Sequence, residues 1–245
     1  MSWMFPRSSG IHAPETREWI LGALYLPVFL FFLNFAILAY FPALGFPLTE
    51  PRNYFFANLL YMTVNFAVML LIFRRTLWQS LREFEGKMLL SVLIGFGMCY
   101  GANLVLTTAY TVLDIMPENY NQEAVNSLLG GYPLAMTLCT VVLAPLAEEC
   151  LFRGVLFAPL ARRCLPAAYA LSMFLFAGMH VFQFLGSMTA ANTILCLSLY
   201  LPASFSLCWV YQKTGNIWAS IFLHMFINFQ SVLASLLRSL MQAFL

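Results

Sequence analysis

Residues 18–41 read EWILGALYLPVFLFFLNFAILAYF, and after Glu18 the stretch holds no charged side chain. About 20 consecutive apolar residues are enough for a helix to cross the hydrocarbon core of a bilayer. Backbone amides in lipid must be satisfied within their own segment, so such a run is read as a helix. Pro27 interrupts it without ending it. Comparable runs follow at 54–73, 88–113 (softened by Gly95, Gly97 and Gly101), 132–157, 167–185, 189–211 and 216–237. The expected fold class is therefore all-α: a polytopic transmembrane helical bundle of about seven helices. We divide it into residues 1–131, holding the first three spans and an outer loop (114–131), and residues 132–237, holding spans four to seven. No linker separates them, so a single membrane domain is expected.

Composition agrees. Of 245 residues, 62% are hydrophobic and 9% charged, whereas a soluble domain carries roughly 25% charged residues. Mean hydropathy is +0.81. The net charge of +2 comes without a basic cluster able to follow a phosphate backbone, so no nucleic-acid partner is expected. The six cysteines form no CxxC pair, and buried helix packing accounts for them. The first apolar run begins after about 17 polar or mixed residues and is long enough to span. It lacks a small-residue cleavage site, so no cleavable signal peptide is expected.

Lysine and arginine set the orientation. With the N-terminus cytoplasmic, Arg7, Arg17, Arg74, Arg75, Arg82, Lys87, Arg162, Arg163 and Lys213 fall inside, against Arg52 and Arg238 outside. An odd number of spans then places the C-terminus outside. A short chain without long loops fits a bacterial protein, so the expected location is a bacterial cytoplasmic membrane, with the lipid bilayer as a permanent partner.

Ionisable groups inside a span point to function by default. Spans one to three carry the amides Asn34, Asn58, Asn65 and Asn103, for which helix–helix hydrogen bonds are a sufficient reading. Spans four to seven differ: Glu148, Glu149 and Arg153 lie on one, His180 on the next, and His224 with Asn228 on the last. His12 sits in the polar N-terminal tail and has no evident role. Glu149 and Arg153 are four apart with the acid first, the favourable order for an intrahelical ion pair. Glu148 points about 100° away around the helix and is left without a partner in its own segment. Pro145 lacks a backbone donor and loosens the helix just before it. His224 and Asn228 share a face, and Gly178 next to His180 permits close helix approach. Depth places Glu148 and His224 in the cytoplasmic half and His180 nearer the midplane.

A carboxylate beside an imidazole is a general-base pair able to activate water against a carbonyl. A second imidazole and an amide on one face could donate to the oxyanion that develops. The inventory suits amide hydrolysis without a covalent intermediate. Neither a serine elbow nor an HExxH zinc motif is present.

Three motifs in order carry a family resemblance: EExxxR at Glu148–Glu149 to Arg153, FxxxH at Phe176 to His180, and HxxxN at His224 to Asn228. Residues 214–219 (TGNIWA) are similar to the lead-in that precedes the last motif. Over roughly residues 132–230 the chain resembles the CAAX prenyl protease type 2 (Rce1-like) and bacteriocin-processing (CPBP or Abi) family of intramembrane glutamic-type endopeptidases. No catalytic position departs from the pattern. The resemblance implies that Glu148 with His180 activates water, that His224 and Asn228 form the oxyanion hole, and that Glu149 and Arg153 support the site. It implies no cofactor in this mechanism. Zinc held by Glu148, His180 and His224 is the metal-dependent variant. The implied substrate is a membrane-embedded or lipid-anchored protein or peptide. Two other readings compete: a non-catalytic membrane scaffold or regulator of the bacteriocin-immunity kind, and a proton-coupled transporter. The sequence assigns neither the cleavage site nor an oligomeric state.

Overall fold

The structure is a computed structural model that describes residue 11 and residues 13–243; Arg7 and His12 lie outside the described residues. Seven helices are long and apolar enough to cross a membrane. We number them with two short helices in chain order: α1 Thr16–Ala43, α2 Pro51–Ile72, α3 Arg74–Arg82, α4 Met88–Val112, α5 Tyr120–Gly131, α6 Pro133–Ala161, α7 Leu165–Ser187, α8 Ala190–Thr214 and α9 Ile217–Ala243. No strand occurs among the described residues. The chain is thus an all-α integral membrane protein with the expected seven spans, most boundaries moved by a few residues.

Two helices were not resolved by hydropathy. The 114–131 outer loop, in which the sequence leaves a short interfacial helix open, contains α5, which starts where Asn119 Oδ1 accepts from the Gln122 amide at 3.1 Å. Between α2 and α4 lies α3, whose N-terminus is capped from a distance. The buried Glu18 carboxylate accepts from the amides of Arg75 (3.0 Å) and Thr76 (3.3 Å) and from the Thr76 hydroxyl. An anion at unpaired N-terminal amides is favourable both as a cap and against the helix dipole.

The two ends of the bundle are distinct. At one end, α3 is tied to the start of α9 by Asn216 Nδ2 donating to Ser80 O (2.6 Å) and Trp218 Nε1 donating to Leu77 O (2.7 Å). Arg74, Arg75, Arg82, Arg162, Arg163 and Lys213 belong to this end. The turn between α8 and α9 explains the TGN sequence. Gly215 adopts φ 67°, the left-handed helix-ending conformation, and Asn216 Oδ1 caps α9 by accepting from Trp218 N at 2.9 Å. At the other end, Glu118 and Asn192 exchange backbone–side-chain bonds of 2.9 and 3.0 Å, joining the approach to α5 with the start of α8.

Apolar surface gives helices little reason to associate in lipid, so close packing and hydrogen bonds must hold them together. The core lies in the later spans: half of α6's apolar window is buried, against 17% for α1 and α4. Helix α6 touches α1, α2, α7, α8 and α9. Gly95 lets α4 lie directly on this core. A Cβ there would come within 2.6 Å of Val210 and 2.9 Å of Leu223.

Two spans contain three wide π-helical turns: Val28–Phe32 in α1, and Cys139–Leu143 and Cys150–Phe157 in α6. In each, an amide reaches back five residues instead of four, as from Leu33 N to Val28 O and from Ala144 N to Cys139 O. The carbonyl passed over is left for another donor. Tyr61 Oη takes Phe29 O at 2.9 Å, and Asn228 Nδ2 takes Thr140 O at 2.8 Å. In the third turn, Trp19 Nε1 takes Val155 O at 3.1 Å and Ser172 Oγ takes Phe152 O at 3.3 Å. Pro27 and Pro145, which cannot donate to the helix ladder, stand beside the first two.

Candidate active site

Helix α6 carries both carboxylates, and the two have opposite surroundings. Glu149 is fully buried and saturated. Its Oε1 accepts from Arg153 Nη1 (3.1 Å) and lies 2.9 Å from His224 Nδ1, while Oε2 accepts from Ser220 Oγ at 2.5 Å. The intrahelical pair read from the i, i+4 spacing is therefore formed, and α9 closes it from the far side. Arg153 is also fully buried. Its Nη2 donates to Ser204 O and Oγ on α8, and its guanidinium lies 4.9 Å from the centre of the Phe176 ring. Such a charge in a membrane interior needs this density of partners.

Glu148 lies in the wall of a cavity of about 670 Å³. Its Oε2 is buried and has no hydrogen-bond partner. The nearest imidazole atom is His224 Nε2 at 3.8 Å. His224 is thus held between the two carboxylates, with its ring edge-on to Phe176. Because Glu149 is an acceptor, His224 Nδ1 carries a proton and Nε2 faces Glu148; hydrogens here are assigned from partners.

Glu148 and His180, expected to share a water, are not in direct contact. No hydrogen bond or ion pair joins those two side chains; both line the same cavity. His180 Nδ1 lies 2.8 Å from Phe176 O, which fixes a proton on Nδ1 and leaves the Nε2 lone pair for another donor. Its ring stacks on Tyr200 at 4.5 Å, and Tyr200 Oη donates to Asn119, the cap of α5. His180 is thus linked through Tyr200 to the start of α5. At Gly178 the nearest neighbour is a ring of its own helix. A Cβ there would collide with the ring of Phe182 on the same helix, at 2.3 Å.

Asn228 lines the cavity, and one hydrogen of its amide is committed to Thr140 O. The second hydrogen is available to a ligand. His224 and Asn228 share a face as expected, but of the two only Asn228 is part of the cavity lining.

The contingent zinc set of Glu148, His180 and His224 is not assembled. Among the described residues no three His, Cys, Asp or Glu side chains are spaced to hold a metal ion. Five of the six cysteines are buried and none is bonded to another; Cys164 is exposed.

Sequence reasoning passed over the opposite wall. Asn58, Tyr61, Met62 and Asn65 on α2 all line the cavity, as do Phe29, Asn34 and Phe35 on α1. The i, i+3, i+4, i+7 spacing from 58 to 65 was the available signal for one polar face. Asn65 does make the helix–helix bond expected of a membrane amide, accepting from Tyr25 Oη at 2.9 Å. Asn58 instead donates to Tyr54 O within its own helix, at 2.9 Å.

Residues 130–230 match the family model described as Type II CAAX prenyl endopeptidase Rce1-like. A protein of Bacillus subtilis (strain 168) named "Putative membrane peptidase YdiL" is 28% identical over 166 residues, covering 66% of this chain and 64% of that relative. The match thus spans somewhat less than two thirds of the relative's length. No solved structure gives a significant match. The matched stretch runs from α6 to the middle of α9 and includes Glu148, Glu149, Arg153, His180, His224 and Asn228.

Proposed function

We propose, taking the Rce1-like character of residues 130–230 as premise, that this chain is an intramembrane endopeptidase of the glutamic type, cleaving a peptide bond of a membrane-associated protein or peptide. One observation carries the reading. Of two adjacent buried carboxylates, Glu149 is saturated by Arg153, Ser220 and His224, while Glu148 keeps an unpartnered oxygen in a cavity wall. A carboxylate held that way is poised to accept a proton from water, and positioned general bases contribute roughly 10²–10⁴-fold to rate.

In this mechanism water gives a proton to Glu148 and accepts no covalent bond from the protein. The His180 Nε2 lone pair accepts the water's other hydrogen and orients it. The hydroxide oxygen adds to the peptide carbonyl carbon, and the C=O electron pair moves onto its oxygen. Asn228 Nδ2 donates to that oxyanion, while His224, its Nδ1–H committed to Glu149, turns Nε2 toward Glu148 from outside the cavity lining. Glu148 then returns its proton to the amide nitrogen as the C–N bond breaks. Such donors are each worth roughly 10²–10³ in rate. The alternative of a scaffold on the same fold has no separate structural observation in its favour.

The test is membrane and secretome proteomics of the source organism without this gene, complemented by wild type or Glu148→Gln. Processed termini that return only with wild type support the reading and name the substrate. Identical profiles from both complements would end the case for catalysis.

A further inference from the structure

The cavity contains an unusual balance of groups. Its lining includes the carboxamides of Asn34, Asn58, Asn65, Asn121 and Gln122, yet no lysine or arginine. Asn65 is nine-tenths or more buried, its Oδ1 is held by Tyr25, and its Nδ2 has no partner. The Thr140 hydroxyl across the cavity is likewise buried and unpartnered. Asn34, half-buried on α1, makes no side-chain hydrogen bond among the described residues. Buried polar groups are ordinarily paired, and those that are not call for an explanation.

A carboxamide offers one acceptor and two donors, the same complement as a peptide bond. Amides from α1 and α2 that line the same cavity of about 670 Å³ as Glu148 match an extended backbone, and the volume falls within the usual range for ligand sites. A buried charge, by contrast, needs a partner. With no cation in the lining, a carboxylate near the scissile bond would enter without a counter-ion and close to Glu148.

We propose that the cavity takes an internal, uncharged stretch of extended polypeptide, read along its backbone by Asn34 and Asn65, and that it rejects a chain end or acidic residue next to the cut. This rests on the endopeptidase reading for its placement of the scissile bond, but the binding site can be tested without catalysis. Phe29, Phe31, Phe32 and Phe35 of α1 form the apolar flank along which the side chains of such a segment would lie.

The experiment uses the full chain carrying Glu148→Gln in phosphatidylethanolamine–phosphatidylglycerol vesicles. The probe is a fluorescein-labelled dodecapeptide of Ala, Leu, Asn and Gly with both ends blocked. Fluorescence anisotropy should give saturable binding. A central Asp, or truncation to a free carboxylate beside the centre, should weaken it at least tenfold. Asn34→Ala and Asn65→Leu should each weaken it about three- to tenfold, the range for one lost hydrogen bond. Asn34→Ala removes no internal bond, so a folding defect does not explain its effect. Absence of saturable binding overturns the proposal. So does equal affinity for the carboxylate-ended peptide, or parental affinity in both asparagine variants, the result expected if lipid chains alone fill the cavity. The companion reading fails separately: peptides bound in this pattern but never cut by the wild-type chain leave the site standing without the protease.

Discussion

His224 Nδ1 lies 2.9 Å from Glu149 Oε1, and this bond sets the plane of the imidazole so that Nε2 turns toward Glu148. The second glutamate of the pair therefore belongs to α9 as much as to α6. It joins Arg153, Ser220 and His224 into one buried cluster, while its neighbour faces the cavity.

Glu149→Ala leaves Arg153 buried without its carboxylate. Removing one partner of a buried ion pair costs about 3–5 kcal/mol, so low expression and a lowered Tm in detergent are expected. Glu149→Gln, which keeps volume and one acceptor, should fold better. Thermal melts of the two variants side by side check the ordering; equal stability with wild type for both would contradict the role.

Arg153→Ala should damage folding as well as activity, because Glu149 is then left uncompensated and the Ser204 contacts are lost. Arg153→Lys retains charge but not the forked geometry that spans Glu149 and Ser204. Partial recovery of the folded fraction by size-exclusion chromatography is expected for the lysine variant. A normally expressed, stable Arg153→Ala chain with only its activity missing would show that the pair is not structural.

Glu148→Gln should behave in the opposite way. Its Oε2 makes no hydrogen bond, so the melting temperature should stay within a few degrees of wild type while cleavage falls by roughly 10²-fold or more. Retained cleavage of an identified substrate would remove Glu148 from the mechanism.

Asn228→Leu orphans the Thr140 carbonyl, a change worth about 1–3 kcal/mol, and also removes a donor facing the cavity. Asn228→His is the informative companion, since it can restore a donor. Rescue of stability without rescue of turnover would separate the two roles; rescue of neither, or of both together, would leave no distinct contribution to turnover.

Activity of the purified chain should survive strong chelators, because Glu148, His180 and His224 are not spaced as a ligand set. Loss of turnover in phenanthroline, restored by zinc, would establish the metal-dependent mechanism instead.

How far the sequence could be read follows from what periodicity encodes. Seven apolar runs announce themselves because lipid demands length and apolarity from every span. The i, i+4 relation of Glu149 to Arg153 is set by one helix alone and needs no knowledge of neighbours. Distances between helices are another matter. Nothing in the spacing of 148, 180 and 224 says that Glu148 approaches His224 rather than His180, since that depends on how α6, α7 and α9 rotate against one another. Helix α3 escaped notice because its cap, Glu18, lies far away in the chain. Asn34, Asn58 and Asn65 were read as packing groups because an amide facing a cavity and one facing another helix have the same local sequence.

The wide turns in α1 and α6 have a mechanical consequence. Apolar helices in lipid can slide along one another with little change in contact, so their relative height is poorly fixed by packing. Each skipped carbonyl is a single notch at a fixed depth, and Tyr61 and Asn228 are the pins that engage it. Pinning α1 to α2 and α6 to α9 sets the elevation of the two cavity walls independently. A vertical slip of either pair by one residue, about 1.5 Å, would disengage its pin before it could carry Glu148 out of line with the groups opposite.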